Sequence, residues 1–226
     1  MVGAELPCLI LNVMRGGPGL GTIGPSQSDY FQATKGGGHG DYKIIVLAPS
    51  SVQEMADFAG LGFELAFKYR NPVLILSDGA IGQMMEKVEL AEQKSRTTSF
   101  DQTWVTTGKT ADRERNVITS LDLDPARMEL HNKKLQAKFA LMQENEVRYE
   151  KIECDDAEYL IVAYGSCARI CQKTVKLARQ KGIRLGLLRP ITLFPYPAPV
   201  IQEMTGKLKG ILTVELSAGQ MVEDVR

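Results

Sequence analysis

The amino-acid sequence predicts an α/β protein with two parallel-sheet, three-layer domains joined by a helical connector. Short continuous apolar runs, typical of strands buried on both faces of a parallel sheet, recur along the chain. Amphipathic helical stretches separate these runs, and turns rich in glycine or proline close them. A charged stretch in the middle lacks such runs. We therefore place a first domain at 1–98, the connector at 99–153 and a second domain at 154–226.

The first domain contains three predicted strands and one predicted helix. The strands are Leu6–Met14, Lys43–Ala48 and Pro72–Ser77. Between the last two, apolar residues recur at helical spacing over Val52–Tyr69. Ser50 or Ser51 can cap this helix, and Glu54 is placed for a capping box. The order of strands and helix predicts an open sheet whose loops share one edge.

The α/β pattern is interrupted by the connector and then restarts. Lys94–Thr110 is polar and lacks periodicity, which predicts an exposed connection, and a charged helix is predicted from Ala126 to about Lys151. In the second domain a tight turn at Gly165-Ser166 separates a strand from a helix at Ala168–Lys181. The predicted strands of this domain are Glu158–Tyr164, Leu185–Leu188 and Gly210–Leu216.

The composition argues against some classes of function. Lys plus Arg and Asp plus Glu both number 27, so no net field draws in nucleic acid or an anionic membrane. No apolar run approaches membrane-spanning length. The four cysteines lack Cys-x-x-Cys spacing, as expected in a reducing compartment, so we expect a cytoplasmic protein. For Cys167 and Cys171, spaced i,i+4 on a predicted helix, buried packing is favoured over metal ligation.

A glycine-rich loop after the first predicted strand is a candidate anion site. Arg15–Thr22 places one cation and four glycines at the carboxyl end of a buried strand, where open α/β sheets bind ligands. Glycines let the main chain approach an anion, and arginine can hold a carboxylate with two parallel hydrogen bonds. The loop lacks the Gly-Lys-Ser/Thr of a nucleotide P-loop. On these residues alone, an anion site and a merely tight turn remain equal alternatives.

A second glycine-rich segment, Gly36–Asp41, leads into the second predicted strand. It contains His39, one of two histidines, which a sheet edge could present to a ligand. A loop histidine is more often a polar residue satisfied by its surroundings than a catalyst. Asp41 could pair with Arg15 or cap a turn.

Together the two loops resemble a known family. The segment Asn12–Asp41 is similar to the pyrimidine-binding domain of the alpha-type subunit in 2-oxoacid:ferredoxin oxidoreductases. The arginine loop, Gln27, Asp29 and the Gly-His-Gly-Asp turn match in order, and Asn71–Gly79 continues the match. The stretches YLIVAYGS and LGLLRPITLFP resemble the next domain, which is related to the C-terminal domain of transketolase. The resemblance covers nearly the whole chain and is weaker in Lys94–Glu150.

The resemblance implies a subunit of an enzyme. Members of this family decarboxylate a 2-oxoacid on thiamine diphosphate, pass two electrons through iron–sulfur clusters to ferredoxin, and transfer the acyl group to coenzyme A. It implies that Arg15 holds the substrate carboxylate, with His39 nearby. The other predicted substrate-binding residues are Gly16, Gly17 and Thr22, and the predicted cofactor-binding residues are His39, Gly40 and Asp41.

The tip of the arginine loop bears on the substrate. It reads Pro18-Gly19-Leu20-Gly21, whereas many relatives, especially 2-oxoglutarate types, read Pro-Ser-Thr-Gly. The sequence here is closer to the branched-chain type, which acts on acids such as 2-oxoisovalerate, although the substrate itself stays open.

The chain lacks parts that the family needs, which implies partner subunits. It has neither a Gly-Asp-Gly segment followed by Asn-Asn, the usual diphosphate and metal site, nor a cysteine set for an iron–sulfur cluster. The resemblance therefore implies that thiamine diphosphate is shared with a beta-type subunit, which carries Mg²⁺ and an iron–sulfur cluster. Gamma and small ferredoxin-like subunits are further expected partners. We expect no metal site and no catalytic residue in this chain, and an isolated chain without activity.

The resemblance also implies that the alpha-type subunit extends beyond both ends of this chain. The chain is then truncated, and its first sheet is expected to have an exposed apolar edge. Two other functions stay open on the same fold. One is an anion- or phosphate-binding protein without chemistry, and the other is a non-catalytic assembly subunit.

Overall fold

A computed structural model describes residues 1–90 and 101–226, and the strands in this part form two four-stranded sheets. In chain order the strands are β1 Cys8–Met14, β2 Ile45–Leu47, β3 Pro72–Asp78, β4 Tyr149–Ile152, β5 Tyr159–Ala163, β6 Leu185–Pro190, β7 Thr192–Phe194 and β8 Gly210–Val214. The helices are α1 Val52–Tyr69, α2 Gly79–Gln83, α3 Pro125–Asn145, α4 Gly165–Gln180, α5 Ala198–Thr205 and α6 Val222–Val225, with a π-helical turn at Gln32–Gly36. Within these residues no helix is both long and apolar enough to cross a membrane.

The first sheet has the strand order β1-β3-β2-β7. β3 pairs in parallel with β1 and with β2, as the buried apolar runs predicted. β7 comes from the second half of the chain and joins β2 in antiparallel pairing. The first sheet therefore takes a strand from beyond the predicted connector, and the domain bounds 1–98, 99–153 and 154–226 stay a prediction.

The second sheet has the order β4-β6-β5-β8. β5 pairs in parallel with β6 and β8, and β4 adds an antiparallel edge strand to β6. Each sheet is thus parallel in its predicted strands and carries one antiparallel strand at an edge, an arrangement common in α/β proteins. The predicted α/β class is confirmed.

The connector differs from its prediction at one end. The predicted helix from Ala126 to about Lys151 ends earlier, because α3 stops at Asn145 and Tyr149–Ile152 pairs with the edge of β6 instead. Residues 94–100 of the predicted connection lie outside the described residues. Residues 101–109 contain neither helix nor strand and are mostly exposed, as predicted.

The inner faces of the two sheets share one hydrophobic core. Met14 and Leu74 from the first sheet are buried in the same cluster as Leu160 from the second. Tyr30 is fully buried in this cluster, and its ring centroid lies 5.9 Å from that of Tyr164. The outer face of the first sheet packs against α1 and α3, and that of the second packs against α4.

Local signals located one helix start and missed another. α1 spans the predicted residues, because the Ser51 hydroxyl accepts a hydrogen bond from the N–H of Glu54 and the Glu54 carboxylate accepts one from Ser50. The predicted Gly165-Ser166 turn is instead the first turn of α4. The helix begins there because Asp78, from the first sheet, accepts a hydrogen bond from the N–H of Ser166.

The strand β1 lies at the edge of the first sheet and exposes apolar side chains. Ile10, Leu11 and Val13 are 42%, 57% and 40% exposed. An edge strand also presents unpaired backbone N–H and C=O groups. The predicted exposed apolar edge is therefore present on the first sheet.

Candidate functional site

Polar residues collect where the carboxyl ends of the two sheets meet. β1 ends at Met14, which pairs with Asp78 at the end of β3. The residues that follow β5 and β8 reach the same place, because Tyr164 and Leu216 are both hydrogen-bonded to Gln27. Open α/β sheets bind ligands at the carboxyl ends of their strands, so this junction is the candidate site.

The Arg15 loop is a closed hairpin at this junction. Arg15 and Pro25 form an antiparallel bridge. Beside it, the N–H of Gly16 donates to the carbonyl of Gly24 at 2.9 Å, and the N–H of Thr22 donates to the carbonyl of Gly16 at 2.7 Å. The loop is therefore tightly closed with Arg15 at its base, and its use as an anion site stays a prediction.

The guanidinium of Arg15 lies exposed on this hairpin. Its Nη1 donates to the carbonyl of Gly16 at 3.1 Å, which folds the side chain back over its own loop. Within residues 1–90 and 101–226 no carboxylate pairs with Arg15, and the alternative pairing with Asp41 does not form. Since a guanidinium has five N–H donors, most of those on Arg15 remain for a ligand carboxylate.

The other predicted substrate-binding residues form the body of the hairpin. A Cβ at Gly16 would lie 2.6 Å from the methyl carbon of Thr22, so these two residues are in close contact. The Thr22 hydroxyl accepts a long hydrogen bond, 3.4 Å, from the N–H of Gly24. Gly17 has open space around it and precedes Pro18 through a cis peptide bond. These contacts support a role in shaping the loop, and direct contact with a substrate stays a prediction.

The second glycine-rich segment lies at the amino ends of the parallel strands of the first sheet, whereas the Arg15 hairpin lies at their carboxyl ends. It leads into β2, and the backbone carbonyl of Asp41 accepts a hydrogen bond from α3. The carbonyl of Lys43 accepts one from Asn71, just before the amino end of β3. Arg15 directly follows Met14, which pairs with the residue at the carboxyl end of β3. At about 3.3 Å per strand residue, the amino and carboxyl ends of β3 are roughly 20 Å apart. The structure therefore does not bring His39 near Arg15. The predicted cofactor-binding residues are all exposed: His39, Gly40 and Asp41.

Gln27 fastens the arginine hairpin to the second sheet. It is fully buried, and its Nε2 donates to the carbonyl of Tyr164 at 3.0 Å while its Oε1 accepts from the N–H of Leu216 at 3.1 Å. Its backbone N–H donates to the carbonyl of Leu216 at 2.7 Å, and its carbonyl accepts from the Tyr164 hydroxyl at 3.2 Å. Sequence reasoning found Gln27 only as part of a resemblance, because its partners lie 137 and 189 residues away.

The carboxylate of Asp78 caps the amino ends of two helices, α2 and α4. Asp78 is 1% exposed, and its Oδ1 accepts from the N–H groups of Ala80 and Ile81 at the amino end of α2, at 3.0 and 3.2 Å. Its Oδ2 accepts from Ser166 at the amino end of α4, at 3.2 Å, and from Gln27 at 3.4 Å. Sequence reasoning missed this residue. The available signal was an aspartate directly after a buried strand, the pattern of a helix N-cap.

The two cysteines on α4 are packing residues. Burial, with the nearby Cys171 thiol adding to it, raises the pKa of Cys167 to about 11, so this thiol stays protonated at neutral pH. Both side chains are 4% exposed and belong to the core under α4, which confirms the predicted packing.

Binding of thiamine diphosphate also needs a site for the metal ion that accompanies its diphosphate. Among the described residues no group of three or more His, Cys, Asp and Glu side chains is placed to hold a metal ion. The diphosphate of this cofactor is bound through a divalent cation that prefers oxygen ligands. The metal that accompanies the diphosphate therefore has no such cluster in the described part of the chain.

Comparison with known proteins relates both parts of the chain to one group of enzymes. Residues 1–155 match the thiamine diphosphate-binding domain of pyruvate flavodoxin/ferredoxin oxidoreductase, and residues 157–226 match core domain II of pyruvate:ferredoxin oxidoreductase. The chain is 50% identical over 226 residues to ketoisovalerate oxidoreductase subunit VorB of Methanothermobacter thermautotrophicus, covering 100% of this chain and 64% of that subunit. It is 36% identical over 231 residues to 2-oxoglutarate synthase subunit KorA of Archaeoglobus fulgidus, covering 98% of this chain and 64% of that subunit.

A solved structure agrees in fold. The 2-oxoglutarate:ferredoxin oxidoreductase from Magnetococcus marinus, with 2-oxoglutarate, coenzyme A and succinyl-CoA bound, matches with a TM-score of 0.77, covering 95% of this chain and 42% of that chain. The sequence identity is 23%, so this likeness bears on the fold alone. The chain spans 64% of the length of these two curated relatives, which are named as subunits of a ketoisovalerate oxidoreductase and of a 2-oxoglutarate synthase. The resemblance stated from the sequence is confirmed, and the chain belongs to the pyruvate flavodoxin/ferredoxin oxidoreductase family, whose matching domain binds thiamine diphosphate.

Proposed function

We propose that this chain is part of a subunit of a thiamine diphosphate-dependent 2-oxoacid:ferredoxin oxidoreductase. In the overall reaction a 2-oxoacid, coenzyme A and two oxidised ferredoxins yield an acyl-CoA, carbon dioxide, two reduced ferredoxins and a proton. The bond between the carboxylate and the keto carbon breaks, a bond from that carbon to sulfur forms, and two electrons leave to ferredoxin. The family and the names of the relatives support this reaction class.

One observation carries the assignment of the substrate site. Arg15 stands at the carboxyl end of β1 on a closed hairpin, exposed and with most of its N–H donors uncommitted. A planar guanidinium held in one place can bind a carboxylate through two parallel hydrogen bonds, which a lysine cannot do. The role of Arg15 is to hold the carboxylate of the 2-oxoacid and so to orient the keto carbon.

The same loop supports an aliphatic substrate. Leu20 in the tip of the hairpin and Ile23 just after it are 95% and 86% exposed, so both side chains are available to cover an apolar group. The segment from Arg15 to Pro25 contains one cation, whereas a 2-oxoacid with a second carboxylate calls for another. We therefore propose a branched aliphatic 2-oxoacid, consistent with the ketoisovalerate in the name of one relative.

The proposed cofactor is shared with another polypeptide. The chain has no Gly-Asp-Gly segment followed by Asn-Asn, and its described residues contain no cluster of metal ligands, so we propose that a beta-type subunit binds the diphosphate with its metal and carries an iron–sulfur cluster. Gamma and small ferredoxin-like subunits, ferredoxin and coenzyme A are further proposed partners, and the proposed location is the cytoplasm. A cofactor role for His39, Gly40 and Asp41 stays a prediction. It requires a ligand at the amino ends of the strands of the first sheet, away from Arg15.

The test is steady-state kinetics on the complex purified with its partner subunits. We expect Arg15→Ala to lower kcat/KM for the 2-oxoacid. Removing one partner of a charged hydrogen-bonded pair costs about 2 kcal/mol at the low end, which suits an exposed arginine and corresponds to roughly thirtyfold. Arg15→Lys keeps the charge but loses the bidentate geometry, so we expect it to raise KM with a smaller loss in kcat/KM.

Arg127→Ala is the matched control. Arg127 is also an exposed arginine, at the amino end of α3, where it pairs with Asp122. We expect its removal to leave the kinetics unchanged. If a well-folded Arg15→Ala complex has the KM and kcat of the wild type, the substrate site is wrong, and a binding or assembly subunit without chemistry at this loop becomes the better assignment.

A further inference from the structure

Gly21 lies beside the Arg15 guanidinium, with no room for a side chain between them. Its backbone is left-handed, with a φ of +47°. A Cβ at this position would lie 1.8 Å from the carbonyl oxygen of Gly16 and 2.7 Å from Nη1 of Arg15. Both distances are far below van der Waals contact, so only a residue without a side chain leaves room for these two groups as they stand.

The two groups that press on Gly21 are themselves hydrogen-bonded. The carbonyl of Gly16 accepts from Nη1 of Arg15 at 3.1 Å and from the N–H of Thr22 at 2.7 Å. It therefore both closes the hairpin and holds the guanidinium over it. Anything that displaces this carbonyl also displaces the guanidinium.

Gly19 provides an internal comparison within the same loop. It too has a left-handed backbone, with a φ of +64°, but a Cβ there would meet nothing within 4 Å. Any L-residue at either glycine pays a similar cost in backbone strain. The two positions therefore share a left-handed backbone and differ in what a Cβ would meet, which at Gly21 is the Gly16 carbonyl and the Arg15 guanidinium.

We propose that Gly21 is a positioning residue for substrate binding. Its missing side chain allows Nη1 of the Arg15 guanidinium to stay hydrogen-bonded to the Gly16 carbonyl, which leaves the remaining N–H donors for a carboxylate. This inference rests on the proposed function, because it concerns the same carboxylate site. Gly21 itself need not touch the substrate.

The test compares four variants of the complex: Arg15→Ala, Gly21→Ala, Gly19→Ala and the double variant Arg15→Ala/Gly21→Ala. The readouts are KM for the 2-oxoacid and the Kd of 3-methylbutanoate, a carboxylate that does not react, measured by calorimetry. We expect Gly21→Ala to raise both the KM and the Kd by at least about tenfold. We expect Gly19→Ala to change each of them by less than about twofold. In the Arg15→Ala background we expect Gly21→Ala to add less than about twofold, since residues that act through one another are not additive.

Two outcomes overturn different parts of the argument. If Arg15→Ala changes neither quantity, the proposed function fails and the role of Gly21 fails with it. If Arg15→Ala weakens binding but Gly21→Ala behaves like Gly19→Ala, or adds its full effect to Arg15→Ala, only the positioning role is refuted. Should Gly21→Ala lower the melting temperature, Gly21→Asn and Gly19→Asn repeat the comparison, because asparagine tolerates a left-handed backbone while still carrying the Cβ.

Discussion

Replacing Asp78 with alanine should destabilise the protein far more than the loss of an ordinary helix cap. The substitution removes the acceptor for three backbone N–H groups, those of Ala80, Ile81 and Ser166, and one acceptor of the Gln27 side chain. These donors belong to two helices on different sheets. Asp78 is 1% exposed, so water is poorly placed to replace its carboxylate.

The expected magnitude follows from these contacts. An N-cap aspartate contributes about 1 kcal/mol when solvent can compensate for its loss. A buried donor left without an acceptor costs about 1–3 kcal/mol. With three N–H groups affected, we expect Asp78→Ala to lower the free energy of unfolding by about 3–5 kcal/mol. For a chain of this size that corresponds to a fall in Tm of about 10 °C.

Asp124→Ala is the matched control for this measurement. Asp124 caps α3 through hydrogen bonds from Ala126 and Arg127 at 2.9 and 3.4 Å, but its side chain is 48% exposed. We expect its loss to cost about 1 kcal/mol. Urea denaturation followed by circular dichroism, with thermal melts beside it, gives both values. If the two variants are destabilised equally, then the double cap at the junction of the sheets contributes nothing beyond a single exposed cap, and the reasoning is refuted.

Two further predictions concern acid stability and the exposed edge of the first sheet. Burial opposes the charge of Glu146, but hydrogen bonds from Lys68, Tyr69 and Arg148 outweigh it and hold its pKa below the ordinary 4.5. Its contribution to stability is therefore present above about pH 4.5 and is lost as pH falls through the lowered pKa. We expect the urea midpoint of Glu146→Gln to be lower than that of the wild type at about pH 7 and to converge on it in acid. Parallel curves of urea midpoint against pH for the two proteins would contradict this. At the edge strand β1, Leu11→Lys should change the free energy of unfolding by less than about 0.5 kcal/mol. It should also reduce concentration-dependent self-association in sedimentation velocity, because a charge on an exposed strand opposes edge-to-edge pairing. Unchanged self-association would exclude β1 as the contact between copies.

Part of the candidate site could be predicted from the sequence because its signals are local. Arg15 and its glycines directly follow an apolar run that forms a strand, and the carboxyl end of a strand is where open sheets bind ligands. The contacts that hold this loop are of another kind. Gln27 and Asp78 are ordinary polar residues in the sequence, and their partners Leu216 and Ser166 are 189 and 88 residues away. The equally glycine-rich turn at His39 precedes its strand instead of following it. Because β2 is parallel to β3, this turn lies at the amino ends of the strands, whereas Arg15 lies at their carboxyl ends.

The sequence by itself determined the α/β class, three strands of each sheet and the bounds of α1, since apolar runs, helical periodicity and a capping box are all set by neighbouring residues. Only the tertiary structure decided that β7 crosses into the first sheet, that Tyr149–Ile152 is a strand rather than the end of α3, and that α4 begins at Gly165. In each of these cases the deciding hydrogen-bond partner is an open strand edge or a buried carboxylate supplied by a distant segment. Backbone N–H and C=O groups must be satisfied wherever they are buried, and the partner that satisfies them depends on how the sheets assemble.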